Sequence, residues 1–404
     1  MKKIKKAFVY SAEALVHLFS YCTIRSKKTW VFGAWTGKLY SDNPKCVFEY
    51  VSANHPEIKA MWISRDKDLV KRLKKEGIRA AYYHSLKGVF TALRASLFFT
   101  SEGVLDVPSF CIGKAKVIQL WHGMGIKEVG KNSGWQRLYQ SDKKPSLISR
   151  LYTALRKHEN SHYEEHIWMA ASEEARAKYS AAFDVPTENF IITGQPKDDL
   201  LALEKENSYV SEIRAAHPGA KIAVYLPTHR NFGRKSDISD VMSIENLQRV
   251  NRMLSEKNIV MIFKPHFHEF EKYAGYEGTL GNVVFATDKE KFGDVYEFLP
   301  ACDMMITDYS GIMFGYLASG KPIVYFPYDY EEYVSGDAGF CYDYYDITYG
   351  PICKTWEEVV SAMATITPED YAELREKQRA RFCPHADGKN CERVYQATLD
   401  IIKK

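Results

Sequence analysis

The chain is short of the features that would classify it at a glance. It has no large charge of one sign: 404 residues carry a net charge of only +4, which does not argue for a nucleic-acid partner. Its eight cysteines, at 22, 46, 111, 302, 341, 353, 383 and 391, include no Cys-x-x-Cys pair. That excludes a zinc ribbon and a dithiol redox motif, and leaves reduced, buried thiols of a cytosolic protein as the simplest reading. The first 28 residues begin with a basic hexapeptide, but Glu13 and His17 interrupt the apolar run behind it and no small-residue cleavage site follows. They are too polar for the roughly 20 mostly apolar residues of a spanning helix, and no secretory signal is expected. No internal repeat or low-complexity segment stands out.

What is present reads as an ordinary globular enzyme. Hydrophobic content is 46% and charged content 26%, and the length suggests two domains, each burying its own core. Short apolar runs alternate with helical patterns throughout. Strands are expected at Thr29–Trp35, Lys59–Ile63, Ile78–Tyr83, Leu97–Thr100, Lys116–Trp121, Ile167–Ala171 and Phe190–Thr193. A second set is expected at Lys221–Leu226, Ile259–Phe263, Val283–Phe285, Met304–Thr307 and Pro322–Phe326, with helices between, for example at 65–76, 244–256 and 367–382. This alternation predicts an α/β fold with parallel sheets covered on both faces. Two sets joined near 196–219 predict two doubly wound domains, 29–200 and 201–404, with ligands at strand C-termini in the cleft between them.

Chemistry gathers at those strand ends. Lys116-Val117-Ile118 leads into Gln119-Leu120-Trp121-His122-Gly123-Met124-Gly125, so a histidine emerges where a strand stops. Neutral imidazole is suited to take a proton near pH 7; a structural histidine at a strand terminus is the plainer alternative. In the second half, Thr228 and Arg230 follow one strand, and Lys264, His266 and His268 follow the next. Thr307-Asp308-Tyr309-Ser310-Gly311 follows a third, where Ser310 would cap a helix and Gly311 would let a phosphate come close. Arginine, lysine and a helix start at adjacent strand ends describe a diphosphate site, and a nucleotide diphosphate ester is the natural ligand. Nothing completes a metal set around His266 and His268, so no metal site is expected. No acidic cage is visible either, and dependence on Mg2+ stays open.

Two segments are locally basic. Ile4, Phe8, Leu15, Leu18, Phe19 and Cys22, with Ala7 and Ala14, share one helical face behind Lys2, Lys3, Lys5 and Lys6. Residues 1–28 are therefore either a helix lying on an anionic membrane, each Lys contributing roughly 1 kcal/mol, or one packed on its own domain. Residues 127–160 mix eight Lys and Arg with aromatic and aliphatic side chains. They read as a second membrane-facing surface or as a solvated excursion.

Taken in order, Tyr40-Ser41-Asp42-Asn43-Pro44, Trp121-His122-Gly123, Gly194-Gln195-Pro196-Lys197-Asp198-Asp199, Pro227-Thr228-His229-Arg230, Lys264-Pro265-His266, Thr307-Asp308-Tyr309-Ser310 and Lys321-Pro322 resemble the CDP-glycerol glycerophosphotransferase family, which makes teichoic acids and capsule polymers. The tail Asp387-Gly388-Lys389-Asn390-Cys391-Glu392-Arg393 also looks like the family's. The resemblance covers residues from about 29 to 397. It implies a GT-B-like architecture with the donor, CDP-glycerol or CDP-ribitol, in the C-terminal domain. The acceptor, a lipid-linked saccharide or polyol-phosphate polymer, would sit in the N-terminal domain, on the cytoplasmic face of the membrane. His122 and His266 become the catalytic pair. Thr228, Arg230, Lys264, Thr307, Asp308, Ser310 and Gly311 become donor ligands, and Asn43, Gly123 and Lys127 face the acceptor. Three positions depart from the family's usual pattern: Gly311 stands for a second Ser, Gly315 for an Asp, and Gly194-Gln195-Pro196-Lys197 for Gly-Asn-Pro-Arg. A GT-B glycosyltransferase or epimerase and a non-catalytic nucleotide-binding scaffold are the competing readings, since the fold alone does not decide.

Overall fold

The computed structural model describes residues 2–132, 154, 157–159, 162–203, 206–228, 230, 241–266, 269–288, 293–336 and 339–403. The chain divides into two compact units: Met1–His122, Leu138–Lys197 and Lys389–Lys404 form unit 1, and Gly123–Arg137 with Asp198–Gly388 form unit 2. Most of the basic excursion at 127–160, together with His229 and His268, lies outside the described residues.

Unit 1 carries a seven-stranded parallel sheet: β1 (Ser26–Phe32), β2 (Lys59–Ser64), β3 (Ala80–Tyr82), β4 (Ala95–Thr100), β5 (Lys116–Gln119), β6 (Ile167–Ala170) and β7 (Phe190–Ile192). Their spatial order is β3-β2-β1-β4-β5-β6-β7. Alternate residues serve opposite faces, as strand geometry requires. Trp30 and Phe32 join one apolar core, and Val31 between them joins the other. The principal helices are α1 (Lys2–Ser20), α2 (Asp42–Asn54), α3 (Lys67–Lys75), α4 (Leu86–Arg94) and α5 (Glu173–Phe183). β1 stops at Phe32, short of the expected Trp35, because Trp35 and Thr36 turn into the left-handed region at φ 50° and 53°.

Unit 2 carries a five-stranded parallel sheet: β8 (Lys221–Leu226), β9 (Ile259–Phe263), β10 (Val283–Phe285), β11 (Met304–Thr307) and β12 (Ile323–Tyr325), ordered β10-β9-β8-β11-β12. All five residues of β9, Ile-Val-Met-Ile-Phe, are buried, the unbroken apolar run of a strand covered on both faces. Helices α6 (Ser208–Ala216), α7 (Ile244–Glu256), α8 (Ile312–Tyr316), α9 (Trp356–Thr365) and α10 (Ala372–Phe382) belong to this unit.

One boundary differs from the expected 201–404. The last helix, α11 (Asn390–Lys403), returns to unit 1, where Val394, Tyr395 and Ile401 complete the core beneath α2. Asn390 fixes it: its Nδ2 donates to the Gln195 carbonyl at 3.0 Å, and a Cβ on Gly194 would sit 2.1 Å from its Oδ1. Glycine at 194 is thus required by this approach and by its φ of 79°.

Candidate active site

In unit 1 the site grows from the end of β5. After Gln119 the chain turns through Trp121, held left-handed at φ 53°, a conformation that costs a non-glycine residue roughly 1–2 kcal/mol. Three contacts hold the turn. The Trp121 N–H donates to Gln119 Oε1 at 3.1 Å, and Asn43 Nδ2 donates to the carbonyls of Trp121 at 2.8 Å and Leu120 at 3.3 Å. His122 emerges half-buried between two indoles. Trp121 stacks on it at 4.3 Å between centroids, and Trp35 lies at 5.6 Å. Its Nδ1 is buried with no hydrogen-bond partner among the described residues. Burial pushes the imidazole below its ordinary 6.5; Asp42 opposes this and Lys197 reinforces it. The ring is therefore neutral at pH 7 and able to accept a proton.

Asp42, itself left-handed at φ 66°, and Lys197 form a buried pair at 3.1 Å. Lys197 Nζ also donates to the His122 carbonyl at 2.7 Å. Asn43, expected to face the acceptor, is fully buried and spends its amide on the chain itself: Nδ2 also donates to Gln195, and Oδ1 accepts from Lys197 N–H at 3.0 Å. It braces the histidine turn from within. Asp106 plays the corresponding part for the loops after β1 and β4, accepting from the N–H groups of Thr36, Ser101 and Glu102 at 2.6–2.8 Å. The sequence does not mark Asp42, Lys197, Asp106 or Trp35 as site residues. Asp42 and Lys197 lie inside the family-like motifs, whereas nothing local marks Asp106.

In unit 2 the adjacent strands β9, β8 and β11 end in Lys264 and His266, Thr228 and Arg230, and Asp308 to Gly311. This is where the strand order reverses, the usual ligand position of an open parallel sheet. Arg230, expected to reach phosphate, is already engaged. Its Nη1 meets Asp308 at 2.6 Å, and Nε and Nη2 form a fork on Asp329 at 2.9 and 2.8 Å. Tyr309, Tyr328 and Tyr333 surround the guanidinium at 4.9–5.4 Å. Burial opposes its charge, but the two carboxylates win and raise its pKa. Asp308 and Thr307 are fully buried: Asp308 accepts from Thr228 N–H and Oγ and from its neighbour Tyr309 N–H, and Thr307 Oγ donates to the Leu226 carbonyl. These groups shape the strand ends from within. Half-buried Thr228, Lys264, His266 and Ser310 remain at the surface of the cluster.

Four further expectations change. Ser310 makes no capping bond; the cap position of α8 falls on Gly311. Gly311 accommodates the chain's own backbone, since a Cβ there would lie 2.2 Å from the Met124 carbonyl oxygen. Gly123 and Lys127 belong to unit 2 and not to the domain expected to hold the acceptor: residues 126–128 bond to 339–341, and Lys127 Nζ sits 4.9 Å above Tyr333. At Gly315 a side chain would meet Asp198, 2.5 Å from a Cβ, so an acidic group from elsewhere in the chain occupies the place of the missing one.

A family model described as CDP-Glycerol:Poly(glycerophosphate) glycerophosphotransferase matches residues 15–400. The chain is 27% identical to the teichoic acid poly(glycerol phosphate) polymerase of Bacillus subtilis (strain 168), over 85% of this chain and 45% of that protein. It is 30% identical to the teichoic acid poly(ribitol-phosphate) polymerase of Bacillus spizizenii, over 69% of this chain and 42% of that one. It thus spans less than half the length of these two relatives. It is 22% identical to the teichoic acid glycerol-phosphate transferase of Staphylococcus aureus, over 97% and 98% of the two chains. Among solved structures, a variant of the wall teichoic acid polymerase TagF soaked with CDPG superposes with a TM-score of 0.75 at 21% identity, covering 100% of this chain and 96% of that one. The S. aureus MnaA–UDP structure reaches 0.54 at 11% identity, over 93% and 98%. These likenesses show the GT-B-like α/β fold.

Proposed function

Since the chain belongs to the CDP-glycerol:poly(glycerophosphate) glycerophosphotransferase family, we propose that it moves an alditol phosphate, glycerol phosphate first among the candidates, from a CDP-alditol to an acceptor hydroxyl in teichoic acid or capsule synthesis. The acceptor oxygen attacks the phosphorus that carries the alditol, that phosphorus parts from CMP, and CMP leaves with the bonding pair. The observation that carries this reading is His122: a neutral imidazole fixed at a strand terminus by a left-handed turn that Asn43 and Gln119 brace. It takes the hydroxyl proton, a contribution of typically 10²–10⁴-fold.

Lys264, His266, Ser310 and Thr228 receive the diphosphate and offset the charge that grows on the departing CMP, since phosphoryl transfer rests on positioning and electrostatics. Arg230, Asp308 and Thr307 hold those groups in place, a role supported by their burial and mutual bonds. CDP-glycerol and CDP-ribitol are both admitted as donors, in keeping with glycerol- and ribitol-phosphate enzymes among the relatives. The acceptor is a lipid-linked saccharide or a polyol-phosphate chain. No described helix is long and apolar enough to cross a membrane. Attachment to the surface of an anionic membrane is supported by α1, whose Phe8, Leu15, Leu18 and Phe19 are 61–75% exposed rather than packed on the domain.

The test is CMP release from CDP-glycerol and from CDP-ribitol with a lipid-linked acceptor extract. Acceptor-dependent CMP that falls at least 100-fold in His122→Ala is expected. Silence with both donors, in an extract that supports a related enzyme, overturns the proposal.

A further inference from the structure

The inward face of α1 carries polar chemistry that the transfer reaction does not use. Glu13 and His17 lie one helical turn apart and so share a face. Glu13 is buried, and its carboxylate meets two histidines from distant parts of unit 1. His84 Nε2, in the turn before α4, lies 2.8 Å from Oε1, and His158 Nε2 lies 3.3 Å from Oε2. The His17 ring is 5.7 Å from that of His158. Glu159 adds a second carboxylate: ligand atoms of Glu13, His158 and Glu159 all lie within 4.8 Å of one another. Phe110 walls the cluster, stacked beside His84 at 5.9 Å and edge-on to His158 at 6.0 Å.

The orphaned atoms are informative. His17 Nδ1 and His158 Nδ1 are buried with no hydrogen-bond partner among the described residues, although the His158 side chain is only 1% exposed. Buried polar atoms are normally satisfied, and each exception needs a reason. Acceptors gathered this closely, as on Glu13, His158 and Glu159, are satisfied together by a cation. Tetrahedral ligands about 2.0–2.1 Å from a metal lie roughly 3.3 Å apart, which is the spacing of Glu13 Oε2 and His158 Nε2.

We propose that Glu13, His158 and Glu159, with His84 and His17 beside them, bind one divalent transition ion of the zinc class, which clasps α1 to unit 1. Imidazole and carboxylate donors select Zn2+ over Mg2+ or Ca2+, which favour all-oxygen sets. The His84 side chain, 37% exposed, leaves the approach open. The clasp fixes the rotation of α1, so that its apolar side points away from the domain. This proposal stands apart from the transfer reaction, and its test reads no activity.

The full chain is freed of metal and titrated with Zn2+ against a chromophoric chelator, with metal content measured by mass spectrometry. One Zn2+ per chain is expected. Affinity should fall by more than the roughly 10–100-fold that loss of an outer-sphere partner costs in Glu13→Gln and in His158→Asn. The half-exposed His84→Asn serves where those variants misfold, and about tenfold weaker binding is expected there. Co2+ should give d–d bands without a thiolate charge-transfer band, and Cys22→Ser, which removes the exposed thiol, should bind as the parent does. Substoichiometric binding, equal affinity in Glu13→Gln and His84→Asn, or loss of binding in Cys22→Ser overturns the proposal.

Discussion

Arg230 separates two accounts of the second unit, and replacing it by Met decides between them. The guanidinium joins Asp308, whose side chain is 0% exposed, to Asp329, which is 9% exposed. Methionine keeps most of the volume and removes the charge, leaving two buried carboxylates facing one another. Breaking a buried ion pair from one side costs about 3–5 kcal/mol, because the partner is left uncompensated. At 1.4 kcal/mol per factor of ten, that is roughly a hundred- to several-thousand-fold rise in the opening of the structure that depends on it. The loss should be local to β8 and β11, since Asp308 also holds Thr228. Hydrogen exchange by mass spectrometry on peptides covering 221–228 and 304–316 reads it directly, with peptides from β1 and β4 as an internal control. Arg230→Lys keeps the charge and loses the fork on Asp329, so it should fall between. If Arg230→Met leaves exchange unchanged in these peptides and only raises the donor KM, the guanidinium serves the ligand, and its role as an internal brace is refuted.

Lys197→Met should leave the buried Asp42 beside His122 without its cation, raising the imidazole pKa. The parent's kcat/KM for CMP release should decline only below the ordinary 6.5, because His122 is depressed; the variant's decline should begin at higher pH, and Lys197→Arg should restore the parent profile. A profile that is merely scaled down across about pH 5.5–9 would count against Lys197 as a tuner of the base. Gly315→Asp, which restores the family's usual residue, should lower the Tm by roughly 2–4 °C for each kcal/mol of overpacking. The added Cβ lies 2.5 Å from Asp198 Oδ1, so Asp198→Ala should recover part of the loss; an undiminished Tm would show that the site relaxes freely. Leu15→Glu, on the exposed side of α1, should weaken flotation with anionic liposomes about tenfold or more, the worth of one apolar side chain, while leaving the Tm within about a degree. Unchanged flotation would remove α1 from the membrane contact.

The alternation of apolar runs gave away both sheets because the central strands are buried on both faces and read as unbroken runs, as Ile259–Phe263 does. His122 was visible for the same reason: it follows directly on such a run. What stayed hidden depends on partners remote in sequence. Arg230 reads in sequence as a phosphate ligand, and its fork on Asp329, 99 positions away, is invisible there. Asn43 reads as an acceptor contact, and the bonds of its amide to Leu120, Trp121 and Gln195 are equally invisible. Polar residues near a ligand site and polar residues that build it have the same composition, and burial alone tells them apart. The cluster at Glu13 is drawn from 13, 158 and 159, a spacing that matches no linear metal motif.

The return of α11 to unit 1 has a consequence for synthesis. Unit 2 is spliced into unit 1 between Lys197 and Lys389, with a shorter exchange at 123–137. A ribosome making this chain delivers all seven strands of the first sheet early, yet Val394, Tyr395 and Ile401 of its core arrive only after the second unit. The first unit must wait, with apolar surface uncovered under α2, while some 190 residues of the second are made and folded.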